Sequence, residues 1–325
     1  MKLVKKILNI LNGLHYPQEW LCLARELLQH PLHVYLANAK CIIKDITNKH
    51  VFAGYNPLIF ALPAFTGIDL DEFAGIDVIF SNTPLQPNTF FSSKDTIASL
   101  RLRFIRKQSA GSNSIYYYEG IRGEHRFLSS FHQFIIGLNN KLYNRKTGNV
   151  FLQGNLYKQV QIAYAAPRTI SLVTVSQKNL LNLFPSDLHG QVDEQHYIIS
   201  LRHGGRACSQ VEEAGKVLIT QVHYNNYKTV YSLGKNHMQD LKEKENFPLS
   251  NSVSGIFQIP VPESALNYKE LELKESFIHG IHRLLLFKIR SQLNINDIPA
   301  TLAHIHNCYA TWRYNKGLEG NYLLR

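Results

Sequence analysis

The residues that could most readily bind a ligand form a basic turn, RHGGR, at positions 202–206. The turn lies directly before a predicted helix at 207–214. Arg202 and Arg206 can each hold two phosphate oxygens in a bidentate fork. Gly205 lets the backbone approach an anion, and the start of a helix adds partial positive charge. The turn therefore predicts an anion-binding site, with a solvated surface turn as the plain alternative.

Histidines are the other candidates for chemistry. His282 lies just before a predicted strand, where an imidazole could exchange protons with a ligand or simply support the strand end. His304 and His306 fall on a predicted helix, which places them on different faces, and no metal-ligand spacing is present. Asp187 and His189 lack a nucleophile elbow, so a hydrolase triad is not indicated. No glycine-rich dinucleotide motif follows a strand.

Short apolar runs in the second half predict the sheet that would carry these residues. Strands are predicted at 169–176, 180–184, 197–201, 216–222, 252–259, 266–273 and 283–289. Helices are predicted at 207–214, ended by Gly215, and at 229–244 and 299–314. Many short strands with few helices favour a β-rich (α+β) fold built on a barrel.

The order of these elements resembles the flavin reductase-like FMN-binding split β-barrels. The resemblance covers about residues 160–290 and rests on the first strand pair, the segment NLFPS at 182–186, the strand at 197–201 and the basic turn. It implies a protein that binds FMN and passes hydride from NADH or NADPH to the flavin.

The same resemblance implies a role for each candidate residue. The segment 182–186 would line the flavin, largely through its backbone. The basic turn would hold the phosphate, and His282 would contact the reacting rings as the catalytic candidate. The family often has threonine near the position of Ala207, where Ser209 could supply a hydroxyl instead. The cofactor-binding candidates are Asn182, Leu183, Phe184, Pro185, Ser186, Arg202, Gly205, Arg206 and Ser209.

Short sequence matches between the two halves raise the question of an internal duplication. The matched pairs, separated by 139, 140 and 157 residues, are Leu62 with Leu201, Ala74 with Ala214 and His125 with His282. With a duplication, residues 1–148 form a degenerate split barrel and residues 149–325 the flavin-binding one, a single-chain pseudo-dimer. Without it, residues 1–148 form an unrelated α+β domain. Single barrels of this family usually pair, so a homodimer is the other expected assembly.

Composition limits the other classes of protein to which the chain could belong. Lys and Arg number 35 against 24 Asp and Glu, a formal net charge of +11, but the basic residues are scattered and no nucleic-acid-binding motif accompanies them. Four widely spaced cysteines favour free thiols and a cytoplasmic location. No apolar run reaches the roughly 20 residues that span a bilayer. Apolar residues at helical spacing predict an N-terminal surface helix: Leu3, Ile7, Ile10, Leu11 and Leu14.

The functional expectation is an FMN-binding, flavin reductase-like oxidoreductase that uses NADH or NADPH. Two alternatives stay open. One is a flavin- or tetrapyrrole-binding protein without turnover, and the other is a barrel that has lost its ligand and serves as an interaction module.

Overall fold

The computed structural model describes residues 12–25, 28, 32–92, 94–111, 113–143, 152–297, 300–318, 320 and 322–323. The chain divides into two compact units. The first is Met1–Leu21, Leu28–Pro167 and Ile305–Arg325, and the second is Cys22–Leu27 and Arg168–His304. These limits differ from the predicted boundary at residue 148, and the end of the chain groups with the first unit. Most of the predicted N-terminal helix lies outside the described residues, and Leu14 is not helical.

The first unit is built on a seven-stranded antiparallel sheet with the order β3-β2-β6-β7-β8-β5-β4. Its strands follow β1 (Trp20–Ala24) in the chain. They are β2 (His33–Asn38), β3 (Cys41–Asp45), β4 (Val51–Tyr55), β5 (Leu58–Pro63), β6 (Gly75–Ser81), β7 (Ala98–Ala110) and β8 (Asn113–His125).

The second unit is built on an eight-stranded sheet with the order β12-β13-β19-β18-β14-β10-β11-β15. After β9 (Arg168–Thr169), its strands are β10 (Ser171–Gln177), β11 (Leu180–Ser186), β12 (His189–Gln191), β13 (His196–Arg202), β14 (Lys216–Val222), β15 (Lys242–Glu243), β18 (Ala265–His279) and β19 (His282–Asn294). A small pair is formed by β16 (Leu249–Val253) and β17 (Pro260–Pro262), and the last strands are β20 (Leu302–His306) and β21 (Tyr322–Leu323).

Helices are few. Among the described residues the α-helices are α1 (Ser130–Tyr143), α2 (Asn155–Ala163), α3 (Arg206–Ala214), α4 (Tyr227–Ser232) and α5 (Asn307–Asn315). Helix α3 covers one face of the second sheet, because its Cys208 and Val211 share a buried cluster with Val173, Phe184 and Leu285 of the strands. The predicted β-rich fold with few helices is confirmed.

Most elements predicted for the second half are confirmed within a few residues. Strand β14 has the predicted limits, and α3 ends at Gly215, whose φ of 63° is the left-handed conformation predicted for a helix C-cap. The turn between β10 and β11 contains Lys178 at φ 56°. The long hairpin of β18 and β19 extends beyond both predicted strands.

Three predicted elements are wrong. The helix at 229–244 is the short α4 followed by a 3-10 helix, Leu233–Met238, because Gly234 and Asn236 are poor helix formers. The helix at 299–314 begins only at Asn307, because residues 302–306 pair as strand β20 with β9. The strand at 252–259 is replaced by β16 and a turn.

Without the short terminal strand β15, the second sheet has the same strand order as the first. The strands β2 to β8 take the positions in the first sheet that β10 to β14, β18 and β19 take in the second. The long hairpins agree in detail, since β7 is bulged at Arg101/Leu102 and Phe104/Arg106 and β18 at positions 169 residues later, Glu270/Leu271 and Leu273/Glu275. Their turns hold Gly111 and Gly280, again 169 apart, at φ 61° and 59°.

This register corrects the third sequence match. His125 is the last residue of β8, whereas His282 is the first residue of β19. The strand pairing places Asn113, not His125, at the position that corresponds to His282. The short sequence motif Gly-x-His-Arg therefore occurs at opposite ends of the two corresponding strands. The first sheet also has no counterpart of α3, because β5 and β6 are joined through a 3-10 helix, Leu70–Glu72.

Candidate functional site

The basic turn joins the end of β13 to the start of α3 in the second unit. Gly205 is the N-cap residue of α3 and has no side chain to bond the free N–H groups of the first turn. Its own N–H donates to the carbonyl of Arg202 at 3.0 Å. A Cβ at this position would lie 3.3 Å from that carbonyl oxygen, so the tight turn favours glycine.

The charged groups of the turn face solvent. Arg202 and Arg206 are both exposed, and the Arg206 guanidinium lies 3.3 Å from a carboxylate oxygen of Asp240 in an exposed ion pair. Ser209 is exposed, but its hydroxyl donates to the carbonyl of Arg206 at 3.0 Å within the helix. Ala207 is buried in the core beneath α3. Since exposed ion pairs are weak, an anion could displace Asp240 from Arg206.

The segment 182–186, the candidate flavin-lining strand, is β11 with most of its side chains buried. Its outward carbonyls already have partners. Asn236 Nδ2 donates to the carbonyl of Leu183 at 2.8 Å, and His237 Nε2 lies 2.7 Å from the carbonyl oxygen of Pro185. A carbonyl oxygen only accepts, so Nε2 of His237 carries a proton and donates this hydrogen bond, while burial lowers the pKa of the ring. The 3-10 helix Leu233–Met238 therefore covers the edge of β11.

A buried network of polar side chains holds this 3-10 helix, hereafter the cover, against β11. Asn182 Nδ2 donates to Gln210 Oε1 of α3 at 2.7 Å and to the carbonyl of Asn236 at 3.0 Å. Gln210 Nε2 in turn donates to the carbonyl of Gln239 at 2.9 Å. The oxygen of the Asn182 amide is buried without a hydrogen-bond partner. Asn182 thus joins β11, α3 and the covering segment.

His282 is buried beside the basic turn. Strand pairing places it opposite Arg202, and its Nδ1 lies 3.2 Å from the hydroxyl of Ser200. Burial, with the charges of Arg202 and His203, lowers the pKa of His282 to about 4. The imidazole is therefore neutral and only 1% exposed. The structure brings His282 and the turn together, while the segment 182–186 contacts the 3-10 helix instead.

A second cluster of titratable groups lies at the end of β11. The carboxylate of Asp187 accepts a hydrogen bond from His304 Nδ1 at 2.8 Å. The other ring nitrogen of His304 is hydrogen-bonded to the hydroxyl of Tyr231, which lies 2.7 Å from the sulfur of Cys22. The four groups form one continuous hydrogen-bonded chain, hereafter the Asp187–Cys22 chain.

Sequence reasoning missed this cluster because it placed His304 on a helix. In strand β20 the side chain is instead directed by pairing, with His304 opposite Arg168 of β9. Arg168 donates from Nε and from a terminal nitrogen to the carbonyl of Asp187, which fixes the aspartate. The alternating run Ala-His-Ile-His at 303–306 was the available signal, since a period of two is typical of a strand.

The charge on His304 predicts a pH dependence of stability. Burial alone would lower its pKa, but the hydrogen bond and charge of Asp187, together with Cys22, raise the pKa to about 9 from 6.5. A raised pKa stabilises the folded state fully below pH 6.5, and this contribution is lost as the pH rises to about 9. The linkage is on the order of 3 kcal/mol.

Asp187→Asn tests this linkage. We expect the variant to be less stable than the parent at pH 6.5 and the gap between their free energies of unfolding to shrink by pH 9.5. Urea denaturation at both pH values measures the free energy of unfolding of each protein. The difference between the two proteins removes the contribution of groups that titrate equally in both. A gap that is the same at both pH values contradicts the assignment of a charged His304.

The described residues contain neither a metal-binding cluster nor a membrane-spanning helix. No three side chains of His, Cys, Asp or Glu come together there as a metal site. No helix in that part of the chain is long and apolar enough to cross a membrane. The four cysteines are free thiols, as expected, and Cys41 is less buried than the other three.

Comparisons with known proteins give only distant likeness. No family model and no curated protein matches the chain. Among solved structures, an FMN-binding protein from Thermus thermophilus is 19% identical, with a TM-score of 0.37, over 41% of this chain and 74% of its own. A Streptomyces globisporus NADH:FAD oxidoreductase is 10% identical, with a TM-score of 0.40, over 47% and 89%.

A third structure, a putative flavin reductase from Haemophilus somnus, is 16% identical, with a TM-score of 0.38, over 46% of this chain and 94% of its own. Each of these structures matches less than half of the chain, at low identity.

Proposed function

We propose that the second unit binds FMN through the basic turn and that the bound flavin accepts hydride from NADH or NADPH. The observation that carries the proposal is the turn itself, in which two exposed arginines flank a glycine pair at the first residues of α3. Backbone N–H groups at a helix start and paired guanidinium groups are the ordinary means of holding a phosphate dianion. The flavin would supply the hydride-accepting ring.

The residues fit the phosphate better than they fit the ring. Arg206 is held only by an exposed ion pair with Asp240, whereas the carbonyls of Leu183 and Pro185 are already hydrogen-bonded to the side chains of Asn236 and His237. Flavin binding along β11 would therefore require the 3-10 helix to move away. His282, proposed as the contact to the reacting rings, would also have to become exposed. No step of hydride transfer is assigned to a side chain.

We infer further that the two sheets are copies of one split barrel joined in a single-chain pseudo-dimer. The common strand order supports this, and so do two bulges and a turn glycine at matched positions of the long hairpins. The first copy lacks α3 and the basic turn, so the flavin is assigned to the second copy only.

Flavin titration tests the binding proposal. We expect FMN fluorescence to change on addition of the protein, and Arg202→Ala or Arg206→Ala to weaken binding by about tenfold or more, since a lost charged hydrogen bond costs roughly 1.5–3 kcal/mol. Arg290→Ala is the matched control, because Arg290 is an exposed arginine of β19 paired with Glu272. Unchanged FMN fluorescence across the titration would rule the proposal out.

Anaerobic addition of NADH or NADPH then separates a reductase from a binder. A reductase bleaches the flavin absorbance. A coloured protein that does not bleach is a flavin-binding protein without turnover, and uptake of haem but not of FMN would point to a tetrapyrrole.

The covered edge of β11 favours a second candidate, a barrel without ligand that acts as an interaction module. The buried network of Asn182, Gln210 and Asn236 holds the cover in place where the ring would lie. On this alternative the protein is colourless and binds neither FMN nor haem.

A further inference from the structure

Helix α1 of the first unit presents an apolar row to solvent. Phe131, Phe134 and Leu138 are 66%, 67% and 44% exposed. Spacings of three and four residues place them on one face of the helix, and the exposed Lys141 continues the same row. A surface helix ordinarily turns polar side chains outward, so this row marks a surface for an apolar partner. The basic turn and the Asp187–Cys22 chain belong to the other unit.

The opposite face of α1 is fixed to the body of the first unit. Gln133 Nε2 donates to the carbonyl of His125 at 2.9 Å, and Asn140 Nδ2 donates to the carbonyl of Leu152 at 3.1 Å. Ile136, which shares this face, is buried. The helix therefore cannot rotate to bury its phenylalanine rings without breaking hydrogen bonds on its inner face.

The chain around α1 is basic and lacks acidic residues. Residues 1–18 and 125–167, both in the first unit, contain eight Lys and Arg and no Asp or Glu. Three of the basic residues lie in the first stretch and five in the second, with Lys141 at the end of the apolar row. The apolar row is thus surrounded in sequence by positive charge alone.

The two basic stretches meet at α1. Asn139 Nδ2 of the helix donates to Asn12 Oδ1 at 2.8 Å. The next residue, Gly13, has a φ of 66°, and a Cβ there would lie 2.5 Å from Nδ1 of His132 on the same helix. Glycine therefore allows the chain to pass directly against α1, and the three basic residues of the first stretch precede Asn12 by ten residues or fewer.

We propose that this face of the first unit, the α1 face (Phe131, Phe134, Leu138 and Lys141), binds the surface of a bilayer that contains anionic lipids. The two rings and the leucine enter the boundary between headgroups and acyl chains, and Lys141 extends its ammonium group to the lipid phosphates. The neighbouring Lys and Arg side chains add attraction to the negative surface. The contact is peripheral, independent of the flavin function proposed above.

Charge decides between a membrane and a second copy of the chain. A symmetric dimer through the α1 face would bring the same basic surroundings of two copies together, in a chain of net charge +11. Like charges at such a contact repel each other. An anionic bilayer matches both the apolar row and the positive charge around it.

Sedimentation of the full chain with vesicles tests the proposal. The vesicles contain either phosphatidylcholine alone or phosphatidylcholine with about one third phosphatidylserine. We expect binding to the anionic vesicles to be at least about tenfold tighter than to the neutral ones, because several Lys and Arg side chains each contribute a few-fold. Added salt is expected to weaken it by screening. Equal binding to the two kinds of vesicle, or binding to neither, overturns the proposal.

A double variant, Phe131→Ser with Phe134→Ser, removes the two rings from the row. We expect its affinity for the anionic vesicles to fall by at least about tenfold, since the apolar contact of both rings is lost. Phe90→Ser is the matched control, because Phe90 is an 81% exposed phenylalanine of the same unit that lies outside α1. An equal loss of affinity in the control and the double variant contradicts the assignment to the α1 face.

Phe131→Trp reports insertion directly. On anionic vesicles we expect tryptophan emission to shift to shorter wavelength and to be quenched by lipids brominated in the acyl chain, relative to the parent with its native Trp20 and Trp312. No shift and no quenching beyond the parent overturns insertion of α1. A parent that forms a dimer, loses it in the double variant and ignores vesicles would show that the α1 face joins two copies of the chain, which also overturns the membrane assignment.

Discussion

Replacing Glu270 with alanine is expected to destabilise the second unit by about 3 kcal/mol, because the change removes a buried carboxylate that accepts hydrogen bonds from two backbone N–H groups and a hydroxyl. Glu270 lies on β18 and is fully buried. Its Oε1 accepts from the backbone N–H of Phe257 at 2.6 Å, and both carboxylate oxygens lie within 3.1 Å of the N–H of Ile256. The hydroxyl of Ser291 also donates to this carboxylate.

The carboxylate therefore holds the turn that precedes β17. The same turn brings Ile259 and Val261 against Leu218 and Tyr268 in a small apolar cluster. Loss of Glu270 removes the hydrogen bonds and loosens this cluster as well. Urea denaturation followed by circular dichroism measures the free energy of unfolding, and hydrogen exchange at Ile256 and Phe257 reports the local opening.

Glu272→Ala is the matched control for Glu270→Ala. Glu272 lies two residues further on the same strand, but it is partly exposed and pairs with Lys274 and Arg290 at the surface. Its loss is expected to cost less than about 1 kcal/mol. Similar destabilisation by the two variants would show that the buried hydrogen bonds of Glu270 contribute nothing particular.

The ionisation of Glu270 adds a pH dependence with a definite sign. Burial alone would raise its pKa, but hydrogen bonds from Ser254, Ser291 and the two backbone N–H groups lower it below the usual 4.5. A lowered pKa contributes stability that is fully present above pH 4.5 and is lost as the pH falls through the folded-state value. The difference in the free energy of unfolding between the parent and Glu270→Ala is therefore expected to narrow as the pH falls below 4.5.

Gly123→Val is expected to destabilise the first unit by about 3 kcal/mol, at the upper end of the usual cost of overpacking. Helix α2 lies directly on β8 at this glycine. A Cβ on Gly123 would lie 2.9 Å from Cδ1 of Ile162, and 3.0 and 3.1 Å from Cγ and Cα of Gln159. The last of these is helix backbone, which can yield only if α2 lifts away from the strand.

Lifting α2 would also break a pair of hydrogen bonds. The amide side chain of Asn155 accepts from the N–H of Gly123 at 2.5 Å and donates to its carbonyl at 2.9 Å. The expected result is a lower urea midpoint with faster hydrogen exchange in α2. Gly137→Val on α1 is the control, because nothing lies within 4 Å of an added Cβ there. If both glycine variants lose the same stability, contact with α2 is not the cause.

The local sequence pattern predicted those elements of the second unit whose structure depends mainly on neighbouring residues. Strand β14 and helix α3 follow from apolar runs ended by Gly215, whose left-handed conformation requires a residue of that kind. The basic turn was found in the same way, from two arginines and two glycines at the start of a helix. These features need only a few neighbouring residues to specify them.

Features set by distant pairing could not be predicted in the same way. The sequence pattern of residues 302–306 predicts a helix, but these residues form a strand because they pair with β9. That strand conformation is what places His304 against Asp187. The cover on β11 depends on Asn236 and His237, which lie about 50 residues away in sequence. The sequence match of His125 with His282 does not hold in the structure. Strand register, and not sequence identity over four residues, determines which positions of the two sheets correspond.

The bonding of Asn236 and His237 to β11 has a consequence for intermolecular strand pairing. An open strand edge invites a strand from another molecule. In the second sheet, the chain between β14 and β18 returns to bond the edge of β11 through β15, Asn236 and His237. In the first sheet, the corresponding stretch between β6 and β7 returns to β3, where the N–H of Ile42 donates to the carbonyl of Thr89. Each sheet thus has one strand edge shielded from intermolecular β-pairing, so shortening either connection is expected to promote aggregation even if the rest of the sheet stays folded.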